Sequence, residues 1–87
     1  MQADDKPARE VVEARISSAL PELTPEDIRS SSTLSELGLD SMERLDIVVG
    51  SADDLGVIVD PRDFTSSNTI GDIALQLARS PRRSGAT

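Results

Sequence analysis

Few side chains in this sequence can do chemistry, and the missing types narrow the field as much as those present. The chain of 87 residues contains no Cys, His, Tyr or Trp, and its one aromatic residue is Phe64. Without a thiol or an imidazole, a small protein has few candidates for nucleophile or general base at neutral pH. The same absences remove the disulfide frame and the thiolate metal site, so no metal is expected. What remains is hydroxyls and carboxylates, and one arrangement stands apart: Gly38-Leu39-Asp40-Ser41-Met42, heading a stretch rich in aliphatic and acidic residues that runs to Leu55. Gly38 can take the positive φ of a sharp chain reversal. Asp40 suits an N-cap, where its carboxylate accepts orphan N–H groups and meets the positive end of the helix dipole. Ser41 then stands on the first exposed turn with its hydroxyl outward. Taken alone, Asp-Ser at a helix start is ordinary capping. No catalytic residue is expected, and the composition fits a protein that borrows its chemistry from a prosthetic group.

The elements around that serine can be read from periodicity and punctuation. Pro7 opens a first helix, with Ala8, Val11, Val12, Ile16, Ala19 and Leu20 as its apolar stripe and Pro21 closing it. A long connection follows to Glu36, in which Thr24-Pro25-Glu26-Asp27 reads as one capped turn tucking Leu23 and Ile28 inward. Leu34 and Leu37 anchor its end. Residues 41–55 form the central helix, which Gly56 ends as a left-handed C′ residue. Val57-Ile58-Val59 crosses back in extended form, and Pro61 to Phe64 reads as one helical turn opened by Pro. Thr69 caps a last helix with the stripe Ile70, Ile73, Ala74 and Leu77. The expected fold is all-α: a four-helix bundle of three main helices and one short one, with a long loop between the first two. Residues 1–6 are expected to be flexible, residues 7–79 to form one domain, and residues 80–87 to be a flexible tail.

Charge bounds the partners. The formal net charge is −7, and eleven of the acids lie between Pro21 and Asp63 against three arginines. Such a surface disfavours nucleic acid and anionic membranes and steers basic protein surfaces towards it. No apolar run approaches the length of a membrane span and the charged start is no signal peptide, so a cytoplasmic monomer is expected. On the central helix Glu43, Asp46, Gly50, Asp53 and Asp54 share one arc of about 100°. Met42, Leu45, Val48, Val49, Ala52 and Leu55 spread over the other side, and amphipathicity alone would bury all six. Charge runs are commonly just solvated faces, and that reading of the acidic arc stays open.

LGLDSM followed by an acidic amphipathic helix resembles the modification site of acyl carrier proteins. The likeness continues through GVIVDPRDF and NTIGDIALQL, covering residues 34–78 closely and residues 8–33 in outline. The resemblance implies that Ser41 carries a 4′-phosphopantetheine arm, moved from coenzyme A by a phosphopantetheinyl transferase, with Gly38, Leu39, Asp40 and Met42 as the flanking motif. It implies a carrier rather than an enzyme, one that holds acyl groups as thioesters and presents them to acyltransferases, ketosynthases or other synthase enzymes with basic docking surfaces. Glu43, Leu45, Asp46, Val49, Asp53 and Asp54 become candidates for partner recognition. Ile47, Val48, Ser51 and Leu55 are placed inward, and Met42, Leu45 and Val49 on a semi-exposed ridge. Arg44 departs from the acidic or neutral character of this helix in the family and could help choose among partners. Asp directly before the serine resembles acyl carriers of the discrete polyketide or fatty-acid type. A stand-alone peptidyl or aminoacyl carrier is the alternative, and an unmodified acidic helical adaptor the alternative of another class. The Asp-, Arg-, Ala- and Val-rich, Lys-poor composition favours a specialised pathway such as polyketide assembly. Gly50-Ser51-Ala52 puts small residues mid-helix, so that neighbours either collapse onto Ser51 or leave a cavity that admits part of an acyl chain.

Overall fold

The computed structural model describes residues 5–65 and 67–83; the outer parts of the two expected flexible ends, residues 1–4 and 84–87, lie outside the described residues. Three α-helices carry the fold: α1 (Lys6–Ala19), α2 (Ser41–Leu55) and α3 (Ile70–Arg79). Among the described residues there is no strand, only two isolated bridges. The short helix expected between α2 and α3 is a single 3-10 turn, Pro61–Asp63, and the capped turn in the long connection is another, Pro25–Asp27. The physical reason is length. Each turn is opened by Pro and held by two i to i+3 backbone bonds, Asp63 N–H to Asp60 O and Phe64 N–H to Pro61 O in one, Asp27 N–H to Thr24 O and Ile28 N–H to Pro25 O in the other. The chain leaves the helical conformation before an i to i+4 bond can form.

Local chemistry sets the ends of α2 where the sequence places them. Asp40 caps the start in extended conformation, its carboxylate accepting from the N–H of Glu43 while the Glu43 carboxylate accepts from the N–H of Asp40. Gly56 closes the helix at φ 68°, and its N–H donates back into the last turn. Thr69 and Asp72 make the same reciprocal exchange at the head of α3.

Helix α1 packs against both α2 and α3, and the core lies between them. Val12, Ile16, Ile70, Ala74 and Leu77 are wholly buried, with Ala8, Ile28, Leu34, Leu39, Ile47, Val48, Ala52, Val57 and Ile73 around them. From the stripe expected on α1, Ala8, Val12 and Ile16 are buried, whereas Ala19 is exposed. The long connection is fixed to α3 by its backbone: Ser32 O and Ser30 O accept from Ile70 and Gly71, and Thr33 bridges Thr69. Residues 81–83 depart from the tail expected from residue 80 onwards. Ile58 N–H donates to Pro81 O, Arg83 N–H donates to Gly56 O, and the Arg83 guanidinium pairs with Asp53 at 2.6 Å. Extended backbone on both sides lets these groups satisfy each other, a long-range pairing that composition does not reveal.

Gly50 also has a tertiary reason. The Arg15 guanidinium of α1 lies across it to reach Asp54, donating from Nε and Nη2 at 2.9 Å each. A Cβ at position 50 would sit 2.5 Å from Arg15 Nη1. The pair is exposed and contributes little by itself. Gly in a helix interior costs about 1 kcal/mol against Ala. Propensity therefore outweighs the displaced arginine, and Gly50→Ala is expected to raise the melting temperature by about 2–6 °C. A lowered melting temperature would show instead that the Arg15 clamp governs the seating of α1 on α2.

Candidate functional site

Ser41 occupies the first position of α2 and is exposed. Three features present it. Gly38, at φ 91°, turns the chain, and Leu39 is buried at 3% exposure, which pins the loop to the core. Asp40 then takes the capping role. The serine hydroxyl is thus spared from holding the helix together, and it makes no hydrogen bond among the described residues. The N–H groups of Ser41 and Met42 are helix-terminal donors outside the capping exchange, and such a terminus favours an anion.

Beside the serine lies an open groove of about 330 Å3 between α2, the 61–68 segment and α3. Leu34, Leu45, Val48, Phe64 and Ile73 give it apolar walls, and Ser41, Arg44, Thr65 and Asn68 supply its polar and charged lining. Of the candidate site residues, the structure brings Ser41, Met42 and Leu45 together on this groove. Met42 is 70% exposed, Leu45 42% and Val49 39%, so they form the semi-exposed ridge rather than core. Ile47 and Ser51 are buried in their place, which overturns the purely amphipathic reading of this helix. Leu55 is only partly buried, and Ala52 is fully inside.

The acidic arc divides in two. Asp53 and Asp54 each hold an arginine from another element, Arg83 and Arg15 respectively. The hydrogen bonds from Arg15 hold the Asp54 carboxyl below its ordinary range, and the same contact raises Arg15. Glu43 is engaged with the Asp40 backbone. Asp46 is exposed and makes no ion pair among the described residues. Sequence reasoning could not find these pairings, because Arg15 and Arg83 lie 39 and 30 residues from their partners. It also missed the groove lining from the 61–68 segment, for which Phe64, as the single aromatic, was the available signal.

A family described as "Phosphopantetheine attachment site" matches residues 10–77, a span that includes all of α2 and the groove. This chain belongs to that family. It is a phosphopantetheine-carrying carrier domain, and its cofactor is covalently attached 4′-phosphopantetheine. Comparison with curated proteins and with solved structures gave no match. The local chemistry of the carrier domain fits the group: an exposed hydroxyl without a partner, helix-terminal N–H donors for a phosphodiester, and an adjoining groove with an apolar wall. Among the described residues no His, Cys, Asp and Glu cluster could hold a metal ion, and no helix is long and apolar enough to cross a membrane.

Proposed function

We propose that Ser41 is the attachment point of the arm, and that the protein is an acyl carrier serving a polyketide or related biosynthetic pathway. The observation that carries this reading is the division of labour at the head of α2. Asp40 does the capping, which leaves the adjacent Ser41 hydroxyl exposed and uncommitted inside the matched span. When bound, the group supplies a thiol that holds acyl cargo as a thioester for transfer by other enzymes. The chain's own part is to hold Ser41 out to the transferase, to favour an anion there with the Ser41 and Met42 N–H groups, and to offer surfaces for docking. Asp before the serine favours acyl over aminoacyl cargo. Intact-mass measurement after incubation with coenzyme A and a phosphopantetheinyl transferase tests the carrier reading. Offering the modified protein to malonyl-loading and to amino-acid-activating enzymes separates acyl from aminoacyl carriage. A protein that gains no mass would instead be an unmodified acidic adaptor.

For docking, Met42, Leu45 and Val49 supply an exposed apolar ridge, and Glu43, Asp46, Asp53 and Asp54 the acidic flank. The flank is not uniform, since Arg15 and Arg83 offset the charges of Asp54 and Asp53. Asp46 is the carboxylate most available to a basic partner. Asp46→Lys is therefore expected to slow arm transfer or acyl loading more than the same change at Asp53 or Asp54. Charge at the rim of an interface acts on encounter rate, so the Asp46 effect should shrink as salt rises. Equal rates for wild type and all three variants, from low to high salt, would return the arc to a solvated face.

A further inference from the structure

The head of α2 carries an electrostatic imbalance that the capping chemistry creates. Asp40 and Glu43 set two carboxylates beside Ser41. A phosphodiester formed at Ser41 meets both as like charges, with the Ser41 and Met42 N–H groups as the helix-terminal donors not already in the capping exchange. One cation stands on the same side. Arg44 is three residues on from Ser41, a neighbour on the same helix face. It is the single charged residue among those lining the groove at Ser41.

Arg44 is half-buried, and its guanidinium is not spent on a carboxylate. Nη1 donates to Ser35 Oγ at 3.1 Å and, at the limit of hydrogen-bond reach, to Leu39 O at 3.5 Å. Both acceptors are neutral, and among the described residues Arg44 forms no ion pair. Its Nε and Nη2 groups make no hydrogen bond among the described residues, which leaves donors over for an anion. Leu39 stands two residues before Ser41, so the side chain already folds back towards the helix head. That direction is the one a helical side chain takes, because Cα–Cβ bonds tilt to the N-terminus. Arginine suits this task better than lysine, since its planar fork matches phosphate oxygens in pairs.

We propose that Arg44 is a positioning residue that binds the phosphodiester of the arm and holds the arm's root over the groove between α2 and the 61–68 segment. The proposal rests on the reading of Ser41 as the attachment point. A carboxylate on the cargo offers the same anionic chemistry, but it arrives at the far end of the arm, whereas the phosphodiester is bonded to Ser41 itself. The test compares the unmodified protein, the arm-bearing protein, and its acetyl and malonyl thioesters, in wild type, Arg44→Lys and Arg44→Gln. Intact mass establishes arm attachment in each, and backbone NMR establishes that the fold is kept. The expected result is a shift of the Arg44 Nε–Hε resonance on arm attachment, unchanged between acetyl and malonyl forms. The 31P resonance should move in Arg44→Gln and move less in Arg44→Lys. A shift at Arg44 seen with malonyl alone would assign the arginine to cargo and overturn the phosphodiester contact. An unmoved Nε–Hε resonance and 31P signal in protein whose mass includes the arm would overturn it equally. A wild-type protein that takes no arm would refute the Ser41 reading, and this proposal with it.

Discussion

Ser41→Ala is expected to take up no arm at all, by intact mass, while keeping its stability within about 0.5 kcal/mol of wild type. Both halves follow from the capping geometry. On the proposed reading the Ser41 hydroxyl accepts the transferred group, and the methyl of alanine offers no oxygen to replace it. Yet it makes no hydrogen bond within the described chain and stands exposed, so its loss leaves no buried group unpaired. The residue before it behaves in the opposite way. Asp40 accepts from the N–H of Glu43 at 2.8 Å, and Asp40→Ala should cost about 0.5–2 kcal/mol while still presenting a serine to the transferase. Arm attachment that survives Ser41→Ala would move the site to another hydroxyl. A Ser41→Ala protein that unfolds would show that the serine, not the aspartate, holds the helix head.

How far the sequence carried depended on whether the deciding physics was local. The bounds of α2, the αL glycine at its end and the capping exchange at Thr69 and Asp72 are all settled within a few residues, and each is legible as a short pattern. The inward face of α2 was not. Amphipathicity turns Val49 inward and Ile47 outward, because it weighs hydrophobicity and ignores where the neighbouring helices stand. The structure buries Ile47 because α1 packs on that side, and it leaves Val49 39% exposed. Only the resemblance to a known family brought that information to the sequence. The ion pairs of Arg15 and Arg83 and the bridge between Val57 and Arg82 were illegible for the same reason. They join residues that no periodicity relates, and they change the meaning of two acidic candidates that remain exposed. Asp46 and Arg44 were both legible as residues; what the sequence could not supply was which charges are already spent.

The same distinction decides the small-residue run on α2. Ser51 is wholly buried, and its Oγ has no hydrogen-bond partner among the described residues. A buried hydroxyl without a partner costs about 1–3 kcal/mol, and Ala is also the better helix former. Ser51→Ala should therefore stabilise the unmodified protein by about 1–2 kcal/mol, raising the melting temperature by several degrees. Of the two outcomes open from the sequence, a cavity would make Ser51→Leu stabilising as well, whereas collapse would not. The structure argues for collapse: Ser51 shares the inward face of α2 with the buried Ile47, Val48 and Ala52, and it does not line the groove beside Ser41. Forcing an isobutyl group into such a site costs about 1–3 kcal/mol by overpacking. The two substitutions are expected to move the melting temperature in opposite directions, Ala upward and Leu downward. With collapse, an attached acyl group should also leave the NMR shifts of Ile47 and Leu55, which do not line the groove at Ser41, unchanged. Stabilisation by Leu, together with acyl-dependent shifts that Leu abolishes, would show that the space beneath Ser51 opens to cargo, and that the orphaned hydroxyl is held in reserve for a polar group on the chain.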